Sequence, residues 1–81
     1  MSKIIVYTKT GCPWCIGVTD FLNENKVSFE ERNVTVNEEY FIEMQAKSGQ
    51  PKAPTLDIDG DIIADSDKDA VEQELKSRGI L

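Results

Sequence analysis

Residues 4–15 of the 81-residue chain read IIVYTKTGCPWC, a run of apolar residues followed by a Cys-x-x-Cys motif. Its first part, Ile4 to Tyr7, is a continuous apolar run rich in β-branched side chains, which is typical of a central strand covered on both faces. Pro13 suits the first turn of a helix. The pattern therefore predicts a buried strand that leads into a helix, with Cys12 at the junction.

Cys12 and Cys15 are the only cysteines in the chain. At a helix N-terminus the unpaired backbone N–H groups and the positive end of the helix dipole favour a thiolate, so Cys12 is the predicted nucleophile. Cys15 lies one turn further along and is the predicted resolving cysteine, which attacks a mixed disulfide on Cys12. Lys9 is predicted to stabilise the thiolate or to hold an anionic substrate group.

The cysteine pair has two alternative interpretations. Both residues could be small buried core side chains, but Gly11, Pro13 and Trp14 around them indicate an exposed turn. A tetrahedral zinc site needs four ligands, whereas the chain has no histidine and no second cysteine pair. Zinc would therefore require dimerisation or carboxylate ligands. In a reducing cytosol a single Cys-x-x-Cys pair is more often redox-active or metal-binding than a structural disulfide.

Length, charge and hydropathy indicate the number of domains and argue against nucleic-acid binding and membrane association. The length suits one domain over residues 1–81 with a single small core. With 15 acidic and 9 basic residues the formal net charge is −6, so nucleic acid is not an expected partner. The N-terminal apolar run is too short for a signal peptide or a membrane span, and a cytoplasmic location without membrane association is expected.

The remaining pattern predicts the order strand, helix, strand, helix, hairpin, helix. A second strand is expected between Phe29 and Val34, and Thr35 with Glu38 forms a candidate capping box for a helix that ends near Gly49. A right-handed crossover makes the first two strands parallel.

The C-terminal third predicts a hairpin and a final helix. Asp59-Gly60 is a strong two-residue turn signal between short apolar strands. Ser66 is the predicted cap of the last helix, with Asp67 in its first turn and Gly79 at its end. These elements predict an α/β fold, in which a four-stranded mixed sheet has helices on both faces.

The segment Tyr7-Thr8-Lys9-x-x-Cys12-Pro13-Trp14-Cys15 resembles the active-site stretch of glutaredoxins. Ala53-Pro54 falls where glutaredoxins have threonine-valine-proline with a cis proline, and Ser66-Asp67 matches the segment after the family's double glycine. The resemblance covers the whole chain and is particularly close to a small bacterial and archaeal glutaredoxin-like group similar to the YruB proteins. It implies the minimal thioredoxin fold, βαβαββα.

The resemblance also implies a groove for glutathione. In the family, the backbone beside the cis proline pairs with the cysteine unit of glutathione, and the residues after the double glycine hold its γ-glutamyl end. Trp14 is expected to border this groove and offer apolar contact. The expected substrate-binding residues are Lys9, Pro13, Trp14, Ala53, Pro54, Ser66 and Asp67.

Two departures from the family pattern bear on this ligand. Ala64-Asp65 stands where typical glutaredoxins have Gly-Gly, and Lys52-Ala53 stands in place of threonine-valine. Asp65 adds a negative charge that opposes an anionic ligand. Glutathione affinity is therefore expected to be weaker than in a Gly-Gly glutaredoxin.

The sequence thus predicts a monomeric dithiol oxidoreductase that reduces protein or glutathione mixed disulfides. It is expected to have no tightly bound cofactor and to use glutathione as reductant or substrate. One alternative is a donor to ribonucleotide reductase recharged by thioredoxin reductase, because Gly49-Gln50-x-x-Ala53-Pro54 is similar to that group, although its tryptophan-serine-glycine-phenylalanine segment is absent. The other is an iron–sulfur carrier that uses Cys12 of two subunits and glutathione as ligands.

Overall fold

The computed structural model describes residues 3–64 and 66–81. The element order is βαβαββα, as the sequence predicts. The bounds are β1 Ile4–Thr8, α1 Pro13–Glu24, β2 Glu30–Asn33, α2 Glu38–Ser48, β3 Thr55–Ile58, β4 Asp61–Ile63 and α3 Lys68–Ser77. In the described part of the chain, no helix is long and apolar enough to cross a membrane.

The four strands form one mixed sheet in the order β2-β1-β3-β4. β1 and β2 are parallel, and β3 runs antiparallel to both β1 and β4. Asp59 and Gly60 connect β3 to β4 with φ angles of 54° and 94°, the left-handed conformation that a two-residue hairpin turn requires. Because β1 lies inside the sheet and is covered on both faces, all five of its residues are buried.

Helices pack on both faces of the sheet, and alternate side chains of β1 enter the two layers. On one face, α1 and α3 enclose a core of Ile4, Val6, Val18, Phe21, Leu22, Leu56, Ile58, Val71 and Leu75. On the other face, Met44 of α2 packs with Ile5, Tyr7 and Val34. The continuous apolar run at the start of the chain thus supplies side chains to both layers.

A network of partly buried polar side chains attaches α2 to the sheet. Lys47 Nζ lies 2.8 Å from Asp57 Oδ2 on β3 and donates to the Tyr7 hydroxyl over 2.9 Å. Glu43 accepts a hydrogen bond from the same hydroxyl and pairs with Arg32 on β2. These contacts reach three strands and so fix the position of α2 on the sheet.

The predicted cap of α2 is wrong. Asn37, not Thr35, is its N-cap, and the Asn37 side chain accepts a hydrogen bond from the Glu39 N–H over 2.9 Å. Thr35 Oγ1 instead accepts from the Thr10 N–H over 3.1 Å. Asn and Thr are both favoured caps, so local sequence does not choose between neighbouring candidates.

The predicted cap of α3 is also displaced by one residue. Asp67 is the N-cap and accepts a hydrogen bond from the Ala70 N–H over 2.8 Å. Ser66 is buried, and its hydroxyl donates to the Ile63 carbonyl over 2.9 Å. The Ser66 hydroxyl therefore attaches the start of α3 to the end of β4.

Asn37→Ala should lower the free energy of unfolding by about 1 kcal/mol, because the first turn of α2 loses its side-chain acceptor. Urea denaturation measures the change. Asn23→Ala, at an exposed position near the end of α1, is the matched control and should change stability by no more than about 0.5 kcal/mol. Equal stability of the Asn37→Ala and Asn23→Ala proteins would contradict the cap assignment.

Candidate dithiol site

Cys12 lies where the chain turns from β1 into α1. It is the N-cap residue of α1, with extended backbone angles of φ −98° and ψ 107°, and Pro13 is the first helical residue. The Cys12 sulfur accepts a hydrogen bond from the Cys15 N–H over 3.2 Å, and the Cys12 carbonyl accepts one from the Ile16 N–H over 3.1 Å. The sulfur therefore occupies the place at which a helix N-terminus interacts with anions.

The second thiol is sequestered behind the first. Cys15 is only 2% exposed, whereas Cys12 is partly exposed, and both are free thiols. Burial, a side-chain hydrogen bond with Cys12 and the negative charge on Cys12 raise the pKa of Cys15 to about 12. The Lys9 backbone N–H and the Lys9 charge act in the opposite direction. At neutral pH Cys15 is therefore protonated and largely inaccessible.

A cleft of about 330 Å³ brings together most of the predicted substrate-binding residues. Its lining consists of Lys9, Trp14, Lys52, Ala53, Pro54, Ser66 and Asp67. Six of these seven were predicted from sequence. Cys12 and Cys15 do not line the cleft itself, but Lys9 and Trp14 on either side of Cys12 in the sequence do.

Pro13 lies outside this cleft, in an adjoining one. That second cleft has a volume of about 410 Å³, and its lining is Pro13, Trp14, Gly17, Asp67, Lys68 and Asp69. Trp14 and Asp67 line both clefts. Since Trp14 is 66% exposed, its ring forms an apolar ridge between them that is accessible to a ligand.

The loop before β3 reaches the cleft through a cis peptide. The Ala53–Pro54 bond is cis, as the family resemblance implies. The Pro54 carbonyl accepts a hydrogen bond from the Ser66 N–H over 2.8 Å, so the cis-proline loop is tied to the start of α3. Ser66 lines the cleft, and its N–H and hydroxyl both donate hydrogen bonds within the protein. Ser66 therefore forms part of the wall of the cleft and offers neither of these donors to a ligand.

Lys52 lines the cleft although it is not among the residues predicted from sequence, and its only signal there is its place two positions before Pro54. Asp65, which the sequence predicts to weaken glutathione binding, lies outside the described residues.

A sequence model of the glutaredoxin family matches residues 4–63. The chain belongs to the glutaredoxin family. A glutaredoxin-like 8.6 kDa protein from the rubredoxin operon of Clostridium pasteurianum is 30% identical over 70 residues, which cover 86% of this chain and 93% of that protein. Glutaredoxin 3 of Escherichia coli K12 is 33% identical over 67 residues, which cover 83% and 81% of the two chains.

A solved structure agrees with the predicted fold. The crystal structure of the thioredoxin-like protein BC3987 matches with a TM-score of 0.79 and 31% identity, over 86% of this chain and 96% of that one. The predicted thioredoxin fold is therefore confirmed. Membership of the glutaredoxin family makes this protein a thiol–disulfide oxidoreductase.

At about pH 8, iodoacetamide should label the reduced glutaredoxin at Cys12 alone. Cys15 has a pKa of about 12, so its thiolate fraction at this pH is about one in ten thousand. Peptide mapping by mass spectrometry locates the adduct, and denatured protein, in which both thiols should react, is the control. Labelling of Cys15 in the folded protein should increase only as the pH approaches 12. Equal labelling rates at pH 8 would contradict the sequestration of Cys15.

Proposed function

We propose that this glutaredoxin reduces protein and glutathione mixed disulfides through the dithiol Cys12-Pro13-Trp14-Cys15. The observation that carries the proposal is the arrangement of the two sulfurs on one helix end. Cys12 is accessible at the N-cap, and the buried Cys15 follows within one turn, with its N–H 3.2 Å from the Cys12 sulfur. A substrate can thus reach the first sulfur, and the second can reach the bond that forms there.

The reaction consists of two exchanges. The Cys12 thiolate attacks one sulfur of the substrate disulfide, a bond forms between these two sulfurs, and the other substrate half leaves as a thiolate that takes a proton from solvent. Cys15 then loses its proton to solvent, attacks the Cys12 sulfur and releases the remaining substrate half as a thiol. The dithiol has lost two electrons, which the substrate has gained, and a Cys12–Cys15 disulfide remains.

The first exchange prepares Cys15 for the second. In the reduced protein, the hydrogen bond with Cys12 and the negative charge on Cys12 both raise the pKa of Cys15. Both effects end when the Cys12 sulfur enters a mixed disulfide. Burial then still raises the pKa of Cys15, whereas the Lys9 backbone N–H and the Lys9 charge lower it. Cys15 therefore becomes a better nucleophile once a substrate is attached.

The cleft supports glutathione as the small thiol partner. Glutathione is a tripeptide with two carboxylates and one ammonium group, and the cleft offers two lysines, the Asp67 carboxylate and the backbone of Ala53. Two glutathione molecules would return the Cys12–Cys15 disulfide to the dithiol and become glutathione disulfide. Since sulfur carries every electron, the cycle needs no tightly bound cofactor. We place it in the reducing cytosol, with the protein acting as a monomer.

Cys12→Ser should abolish disulfide reduction, because the accessible nucleophile is lost. Cys15→Ser should instead accumulate a mixed disulfide on Cys12, because the resolving thiol is missing, and it should retain turnover when glutathione resolves the adduct. Incubation with a cysteinyl peptide disulfide-linked to glutathione, followed by mass spectrometry of the intact protein, distinguishes these products. An adduct on Cys15 in the Cys12→Ser protein, with none on Cys12 in the reciprocal variant, would reverse the assignment.

A further inference from the structure

We propose that Gln50 is a positioning residue for the substrate cleft and holds the cis-proline loop in its binding conformation. Gln50 follows Gly49, the C-cap residue of α2, and precedes the cis Ala53–Pro54 peptide. The inference rests on the proposed function, since it concerns the cleft that Lys9 and Trp14, on either side of Cys12 in the sequence, help to line and in which we place the substrate.

The Gln50 side-chain amide connects three parts of the chain. Its Nε2 lies 3.1 Å from Ser48 Oγ at the end of α2, 3.2 Å from the Lys52 carbonyl in the loop and 3.1 Å from Thr55 Oγ1 at the start of β3. Its Oε1 accepts a hydrogen bond from the Lys52 N–H over 2.6 Å. The two N–H bonds of one amide are thus shared among three acceptors.

Two hydroxyl groups extend this arrangement. Ser48 Oγ lies 2.7 Å from the Met44 carbonyl and 3.0 Å from the Gln50 carbonyl, and can donate to either. Thr55 Oγ1 donates to the Lys52 carbonyl over 2.8 Å. Residues 49–54 belong to no helix or strand, so side chains supply the hydrogen bonds that a regular backbone ladder would provide.

The loop that Gln50 holds forms one wall of the cleft. Lys52, Ala53 and Pro54 all line the cleft, and the Pro54 carbonyl is bonded to the Ser66 N–H on the opposite side. Backbone hydrogen bonds to a ligand weaken steeply as distance and angle depart from their optimum. Among the described residues, the side-chain hydrogen bonds of Gln50 reach Ser48, Lys52 and Thr55 and neither cysteine. Loss of Gln50 should therefore weaken substrate binding and leave the sulfur chemistry unchanged.

The test compares two substitutions that remove different parts of the amide. Gln50→Met keeps the length of the side chain but removes the acceptor and both donors. Gln50→Glu keeps an acceptor for the Lys52 N–H but removes both amide donors, so the contact with the Lys52 carbonyl is lost. The Ser48 and Thr55 hydroxyls can donate to the carboxylate only by giving up the carbonyl acceptors that they already have. Gln45→Glu, on the exposed surface of α2, is the control for the added negative charge.

Steady-state reduction of a cysteinyl peptide disulfide-linked to glutathione is the assay, run well below the unfolding temperature of each protein. Gln50→Met should raise KM about tenfold and change kcat by less than about twofold, and Gln50→Glu should raise KM about threefold. The rate of Cys12 alkylation should be unchanged in both variants. Gln45→Glu should match the wild-type protein in all three measurements.

The outcomes separate this inference from the proposed function. If the wild-type and Gln45→Glu proteins reduce the substrate but both Gln50 variants keep the wild-type KM, the positioning role is overturned and the dithiol function stands. A fall in kcat at constant KM, or a changed alkylation rate of Cys12, would equally overturn it. If the wild-type protein does not reduce the mixed disulfide, the proposed function fails, and the role of Gln50 in it fails as well.

Discussion

The hydrogen bond from the Cys15 N–H to the Cys12 sulfur is the contact on which the site depends. It exists because helix α1 begins directly after Cys12, four residues beyond the end of the buried strand β1, so one helical turn fixes both sulfurs. The same turn places Cys12 at the surface and Cys15 in the interior. This difference in exposure between two thiols one turn apart supports the proposed division of roles, in which Cys12 meets the substrate and Cys15 resolves the product.

The cleft depends on tertiary structure in a way that the cysteine pair does not. Its walls come from the β1–α1 junction, the cis-proline loop and the start of α3. The strand order of the sheet and the hydrogen bond from the Ser66 N–H to the Pro54 carbonyl bring these segments together. Although the chain has a formal net charge of −6, both Lys9 and Lys52 line this cleft. Asp67 is the one acidic side chain in this lining, so the lining residues carry a formal net charge of +1, opposite in sign to that of the whole chain. This local charge supports the proposal that the thiol partner is an anion such as glutathione.

The features that sequence predicts best are those governed by local pattern. The apolar run Ile4 to Tyr7, the Asp59-Gly60 turn and the proline at the start of α1 each have a nearby physical cause, and each prediction is confirmed. Caps were misassigned where two good candidates lie close together, because the choice depends on how the loop meets the rest of the fold. Thr35 is engaged by the Thr10 backbone, a partner that lies on another loop.

The contacts of Gln50, like the choice of helix caps, depend on the path of the folded chain and not on local sequence pattern. Its partners lie within a few residues in the sequence, but they converge only because the loop takes an irregular path from α2 to β3 around a cis peptide. No periodicity describes such a path. In the sequence, Gln50 stands out only as part of the stretch Gly49-Gln50-x-x-Ala53-Pro54, and it is the hydrogen bonds of its side chain that suggest a role.

The most direct test of the account is the product of oxidation by one equivalent of glutathione disulfide. The account predicts an intramolecular Cys12–Cys15 disulfide, detected as the loss of two hydrogens from the intact mass, together with two released glutathione molecules. Peptide mapping would show both cysteines in one linked peptide. A stable glutathione adduct on the wild-type protein, or a dimer linked through Cys12, would contradict the claim that Cys15 resolves what Cys12 forms.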